Sequence, residues 1–195
     1  SLRLNTTANN NTAVGAKALA VSTTAADNVA LGTSAMVATT TGHSNVSIGK
    51  DSMIGNLTGD GNTALGFKAL FTNNGSTPDF NVAIGRQALY SNTTGTVNTA
   101  VGLNASYSNT TGTCNVAIGR NALYSTTTGY KNVSMGAAAL YTNTEGYDNV
   151  AIGDTALYLN TTGVENTAVG CGALYTNTTA HANTAIGRAT LRLNT

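Results

Sequence analysis

Two histidines, His43 and His181, eight Asp and Glu residues, and the cysteines Cys114 and Cys171 are the groups in this chain that could move protons, attack an electrophile or hold a metal. Acid–base catalysis needs such groups within hydrogen-bond reach of one substrate, and a zinc site needs three or four of them converging. The two histidines stand far apart in the chain and the acids recur singly. Whether any of them meet is decided by the elements that carry them.

The composition limits those elements. Only 9% of the residues are charged, against about 25% in ordinary globular chains. Hydrophobic residues reach 41%, but with three Phe and no Trp the weight falls on Ala and Val, so the core must be thin. Thr, Asn and Gly fill much of the remainder and disfavour long helices. A net charge of +1 from nine basic residues, scattered along the sequence, gives no electrostatic footprint for nucleic acid or an anionic membrane. No run of 18 apolar residues and no signal-peptide pattern at Ser1 is present, so this segment is expected neither to insert in a membrane nor to direct its own export.

Periodicity is the dominant signal. Asn recurs at Asn11, Asn28, Asn45, Asn62, Asn81, Asn98, Asn115, Asn132, Asn149, Asn166 and Asn183, with a spacing of 17 at every step but one. The exception spans 62–80, where "NNGSTPDF" adds two residues and the single proline, Pro78, at a turn. Counting slots from each Asn, the consensus is N-[TV]-[AS]-[VIL]-G-x-x-A-L-Y-x-N-T-T-G-x-x. Slot five is Gly in every coil, from Gly15 to Gly187, slot three is always Ala or Ser, and slot four is apolar throughout.

Slots two to four predict a short strand whose alternating side chains give one face of Val, Ile and Leu and another of small groups. Slots eight to ten, "ALY" at Ala88 to Tyr90, predict a second short strand with Leu inside. The "NTTG" segment predicts a turn in which Gly supplies positive φ, so that Ala25, Ser76 or Ala180 in its place should change the geometry. Seventeen residues are too few for a repeat containing a helix. The expected fold is all-β: a parallel β-solenoid or β-roll of about eleven and a half coils, one continuous segment over 1–195, rising about 4.8 Å per coil to a rod roughly 55 Å long. Identical residues then form ladders, and the slot-one Asn ladder is expected to be structural, its amides bonding one another and the backbone at a corner.

The N-[TV]-A-[VI]-G signature, recurring along the whole chain, resembles the head repeats of trimeric autotransporter adhesins and related repeats of phage and viral tail fibres. That resemblance implies a left-handed parallel β-roll with three identical chains side by side. The repeat is longer here than is typical of the family, and "ALYxNTTG" is the addition. The residues point to an oligomer as well: slot three is small without exception, which would let a second chain approach. The expectation is therefore that slots two, four and nine fill each coil and slot three lies against a neighbour.

On such a rod the chemical groups separate. His43 and His181 share slot sixteen but lie eight coils apart, about 40 Å. Cys114 and Cys171 lie more than three coils apart, roughly 16 Å, beyond the reach of a disulfide. We therefore expect no enzyme, no metal site and no cofactor. Lys131 and Asp148, both at slot seventeen in successive coils, could form an exposed ion pair. Tyr90, Tyr107, Tyr124, Tyr141, Tyr158 and Tyr175 form a slot-ten stripe that could pack or contact a ligand. Thr93, Thr110, Thr127, Thr144, Thr161 and Thr178 form a second ladder, and the sequons at Asn92, Asn109, Asn160 and Asn177 could accept glycans in a secretory pathway.

The function expected is a structural segment of an extracellular adhesive fibre or filament, on a cell or virion surface. Its partners would be copies of itself in a homotrimer and a host-surface protein or glycan receptor. The alternative is a solenoid that binds glycans or ice through the Tyr or Thr ladders. Finally, "SLRLNT" at Ser1 to Thr6 and "TLRLNT" at Thr190 to Thr195 match across eleven coils and the insertion, which leads us to expect a longer-range repeat in a longer parent chain.

Overall fold

The structure is a computed structural model that describes residues 2–75 and 79–194. It is an all-β parallel solenoid without helices among those residues. Each coil contributes one three-residue strand. The first six are β1 (Thr12–Val14), β2 (Val29–Leu31), β3 (Val46–Ile48), β4 (Thr63–Leu65), β5 (Val82–Ile84) and β6 (Thr99–Val101). The remaining five are β7 (Val116–Ile118), β8 (Val133–Met135), β9 (Val150–Ile152), β10 (Thr167–Val169) and β11 (Thr184–Ile186). They form one eleven-stranded parallel sheet in chain order. Like slots pair throughout: Ala83 opposes Ala100, and Ile84 opposes Val101. The two-residue insertion leaves this register intact, since Ala64 still opposes Ala83. Of the inserted turn, Ser76 and Pro78 lie outside the described residues.

The strands stop at slot five because the chain there takes a φ open to glycine. Gly102 sits at φ +138°, and a Cβ on it would lie 2.5 Å from the carbonyl oxygen of Gly119 in the next coil. Both demands, backbone and space, exclude every other residue.

Slots eight to ten are a turn and not the second strand anticipated above. Gln87, Leu89 and Val97, at slots seven, nine and seventeen, have φ of 56°, 50° and 57°. Left-handed residues bend the chain sharply enough to close a coil in seventeen residues. Slot nine is Leu, Met or Ser in all eleven coils, in keeping with the cost of that conformation for β-branched side chains, while slots seven and seventeen carry the β-branched Thr155 and Val97 in it despite that cost. The turn still bonds coil to coil: Leu89 N–H donates to Ala105 O at 3.0 Å and Ser91 N–H to Tyr107 O at 3.0 Å.

The faces of the strand are also opposite to the expected arrangement. Slot three points inward, with Ala83, Ala100, Ala117 and their ladder fully buried against the Ala of slot eight and the Leu of slot nine. Slots two and four point outward, where Val14, Leu31 and Ile118 are 56%, 44% and 37% exposed. The interior is narrow: an Ala column, a Leu column and polar corners leave no width for a column of Val or Ile as well. Slot three is small because it is enclosed by its own chain, not because another chain approaches it. Where it is Ser, the hydroxyl is satisfied locally, as in Ser134 Oγ donating to Ala139 O at 2.8 Å.

Candidate functional site

Two buried amide ladders hold the corners. At slot one, Asn98 Nδ2 donates to Gly112 O of its own coil at 2.8 Å, and its Oδ1 accepts the N–H of Asn115 in the next coil at 3.0 Å. At slot twelve, Asn109 Nδ2 donates to the same Gly112 O at 3.1 Å and to Asn92 Oδ1 of the preceding coil at 2.7 Å. The slot-fifteen carbonyl is thus the meeting point of both ladders. The slot-twelve ladder was not recognised from sequence, although Ser, Thr or Asn at that slot in every coil is its mark.

This convergence explains the turn glycine. Gly95 has no positive φ; a Cβ there would lie 2.4 Å from both Asn92 Oδ1 and Gly112 O. It is glycine for space. Ala25 keeps the same geometry nonetheless, its N–H reaching Thr40 O at 3.2 Å and its carbonyl accepting from Asn11 Nδ2 at 2.7 Å. Its coil carries the smaller Ser22 at slot twelve, which makes the room. Ala180 also keeps the geometry, and does so beside an Asn at slot twelve: it accepts from Asn166 Nδ2 at 2.9 Å and from Asn177 Nδ2 at 3.1 Å.

In the coil with the insertion, both ladder amides meet at a side chain. The buried Asp79 accepts through Oδ2 from Asn62 Nδ2 at 3.1 Å and from Asn73 Nδ2 at 2.8 Å. A carboxylate provides what the slot-fifteen carbonyl provides elsewhere, so both ladders cross the irregular coil unbroken.

The Thr ladder faces outward, but its hydroxyls are engaged. Thr93 Oγ1 and the N–H groups of Thr93, Thr94 and Gly95 all donate to Thr110 O, at 2.9, 2.9, 3.1 and 3.2 Å. The same hydroxyl-to-carbonyl bond recurs for Thr110, Thr127, Thr144 and Thr161.

The slot-ten rings run from Phe71 through Tyr90 to Tyr175, with centroids 4.9–5.2 Å apart and planes within 8° of parallel. Each ring's faces meet its neighbours, so the ladder presents edges and hydroxyls rather than faces. Cations cover the two ends, Lys68 Nζ lying 5.1 Å from the Phe71 centroid and the Arg192 guanidinium 5.2 Å from that of Tyr175. Burial, followed by the neighbouring Tyr90 and Tyr124, raises the phenol pKa of Tyr107; burial, then Tyr141 and Tyr158's other neighbour Tyr175, does the same for Tyr158.

The groups with catalytic potential are dispersed. His43 and His181 are exposed, and each accepts a backbone N–H of the preceding coil at Nδ1, from Ala26 and Val164 respectively, at 3.0 Å. Cys114 and Cys171 are free, exposed thiols. Lys131 directs its ammonium over the Tyr130 ring, 5.8 Å from the centroid, which is the contact the structure shows in place of the anticipated pairing with Asp148. Among the described residues no cluster of three His, Cys, Asp or Glu could hold a metal ion. A depression of about 360 Å³ near one end is lined by Thr155, Cys171, Gly172, Arg188, Ala189 and Arg192.

Asn92, Asn109, Asn160 and Asn177 are at most 1% exposed, with amides committed to the ladder, so these sequons cannot carry glycans in the folded rod. The remaining large feature is the outer sheet face, where slot four is apolar in all eleven strands and slot two alternates between Val and Thr. Comparison with protein-family models, curated proteins and solved structures finds no match for the chain.

Proposed function

We propose that this chain is a structural segment of an extracellular adhesive fibre or filament, not an enzyme. In this reading it has the left-handed coil sense of trimeric adhesin head repeats, and its copies pack side by side, three to a bundle, at a cell or virion surface. The observation that carries the reading is the outer sheet face, where Val, Leu, Ile and Met of slot four run in a continuous column, each exposed or half-buried, while Ala and Leu columns fill the interior. Soluble monomers rarely leave so continuous an apolar surface uncovered. Packing this face on its equivalents in other copies would leave the Thr and Tyr ladders outside, where a host-surface protein or glycan could be met.

The dispersal of His, Asp, Glu and Cys over the rod supports a scaffold. The ligand-binding alternative draws less support, because the Thr hydroxyls bond to carbonyls and the Tyr ring faces cover one another. Light scattering on the folded chain tests the packing: a trimeric mass is expected, and a monomeric mass overturns it. Deletion of one regular coil, residues 115–131, tests the scaffold: an attachment assay on the parent fibre should retain its activity, and its loss would indicate a localised receptor site instead.

A further inference from the structure

The asparagines of both ladders are followed by Val, Thr, Leu or Asn, and the one asparagine followed by glycine in this chain is Asn74, at the inserted turn. It stands at slot thirteen, outside both ladders, and is exposed. Its own N–H donates to Thr93 O at 2.9 Å. The next bond of the regular coils is missing: Thr94 N–H reaches Thr110 O at 3.1 Å, whereas Gly75 N–H has no acceptor among the described residues. Against Gly75 lies the carboxyl group of Asp79, which is fully buried and holds the ladder amides through Oδ2. Its Oδ1 has no hydrogen-bond partner among the described residues and is the atom nearest to the place that a Cβ on Gly75 would take. A buried carboxylate oxygen without a donor is costly, and such an oxygen beside an unbonded N–H is positioned as a base.

We infer that Asn74 and Gly75 form a self-modification site, at which the side-chain amide is lost as ammonia and Asp79 takes the proton that starts the reaction. The Gly75 nitrogen gives its proton to Asp79 Oδ1 and attacks Cγ of Asn74. A C–N bond forms, the bond from Cγ to the amide nitrogen breaks, and the proton departs with that nitrogen as ammonia. A succinimide ring remains, and water opens it at either carbonyl to leave an aspartyl or an isoaspartyl residue. One water is consumed, one ammonia is released, and no oxidation state changes. Glycine leaves the approach to Cγ open, where a Cβ would obstruct it and restrict the backbone. The Asp60 and Gly61 pair could close the same ring, but it is held: Asp60 Oδ1 accepts His43 N–H at 2.6 Å and Gly61 N–H donates to His43 O at 3.1 Å. The product places a new charge, and in the isoaspartyl form a longer backbone, beside the carboxyl group on which Asn62 and Asn73 converge. Ageing should therefore loosen this one coil.

The folded chain, held in mildly alkaline buffer and mapped by peptide mass spectrometry with isoaspartyl methyltransferase labelling, tests the site. Conversion is expected at Asn74, with Asn73, Asn92 and Asp60 unchanged. An intact Asn74, or conversion at the buried asparagines first, overturns the site. Asp79→Asn keeps a side-chain acceptor for the ladders and removes the base, so conversion in the folded state should slow about a hundredfold, the lower end of what a positioned general base contributes. In denaturant, parent and variant should convert equally. Equal rates in the folded state overturn the role of Asp79. The parent alone gives a second reading, since unfolding parts Asp79 from Gly75: the folded chain should convert faster than the denatured one, and a slower folded rate overturns that role as well. Aged parent should unfold at lower denaturant than fresh parent, while an Asn74→Thr chain aged alongside should keep its midpoint; an unmoved parent midpoint overturns the loosening.

Discussion

The backbone N–H of Asn115 donates to the side-chain oxygen of Asn98, one coil below, at 3.0 Å. Through that bond a side chain does the work of a backbone acceptor at the corner where the parallel ladder would otherwise lapse. The same relationship repeats from Asn11 and Asn28 to Asn166 and Asn183. Removing it has a defined consequence. Asn98→Ala leaves the N–H of Asn115 without its buried acceptor and Gly112 O without one of its two amide donors, an expected loss of about 1–3 kcal/mol. Chemical denaturation of the variant measures it; a midpoint unchanged from the parent would show that water replaces the amide.

The two classes of glycine should respond differently to alanine. Gly102→Ala meets both a φ of +138° and a carbonyl 2.5 Å from the new Cβ, and is expected to destabilise by several kcal/mol or to prevent folding. Gly95→Ala meets only the crowding from Asn92 and Gly112. Combining it with Asn92→Ser reproduces the pairing of Ala25 with Ser22 and should recover part of the loss in thermal unfolding. Gly102→Ala should not be helped by any change at slot twelve.

The tyrosine ladder makes the rod sensitive to alkali. Burial and the neighbouring phenols hold Tyr107 and Tyr158 protonated beyond the ordinary range. A folded-state pKa above the unfolded value contributes stability that is complete below the unfolded pKa, about 10, and is lost as pH rises through the folded value. Unfolding midpoints should therefore fall above about pH 10. Replacing Tyr90 and Tyr124 by Phe should lower the Tyr107 titration toward the ordinary value, leaving only the part due to burial. Ultraviolet difference titration reads this directly, and an unmoved curve would discount coupling along the ladder.

In a eukaryotic secretory host, folded protein should carry no glycan at Asn92, Asn109, Asn160 or Asn177, because an occupied amide cannot enter the slot-twelve ladder. Exposed sequons such as Asn5 and Asn10 remain open to modification. Glycopeptide mass spectrometry of the folded fraction checks both statements, and a glycan on Asn109 in folded material would contradict the burial described.

The sequence by itself determined the coil: a 17-residue period, a three-residue strand ended by Gly, a thin interior, and an insertion confined to one turn. These are local properties, set by residue type at each slot, and repetition makes them legible. Which face of the strand looks inward is not local. Alternation distinguishes Val82 and Ile84 from Ala83 but does not assign either side to the interior, and hydrophobicity alone favours the wrong side. The decision comes from width, because a coil closed by left-handed residues such as Leu89 and filled by Leu and Asn columns has room only for Ala or Ser beside them. The same closure brings Asn109 inside, gives Gly95 its steric role, and gathers Lys17, Lys50 and Arg120 on one edge although they are far apart in sequence. Side chains separated by multiples of seventeen become neighbours only once the chain has wound around its own core, and so the surface of this protein was decided by its tertiary structure.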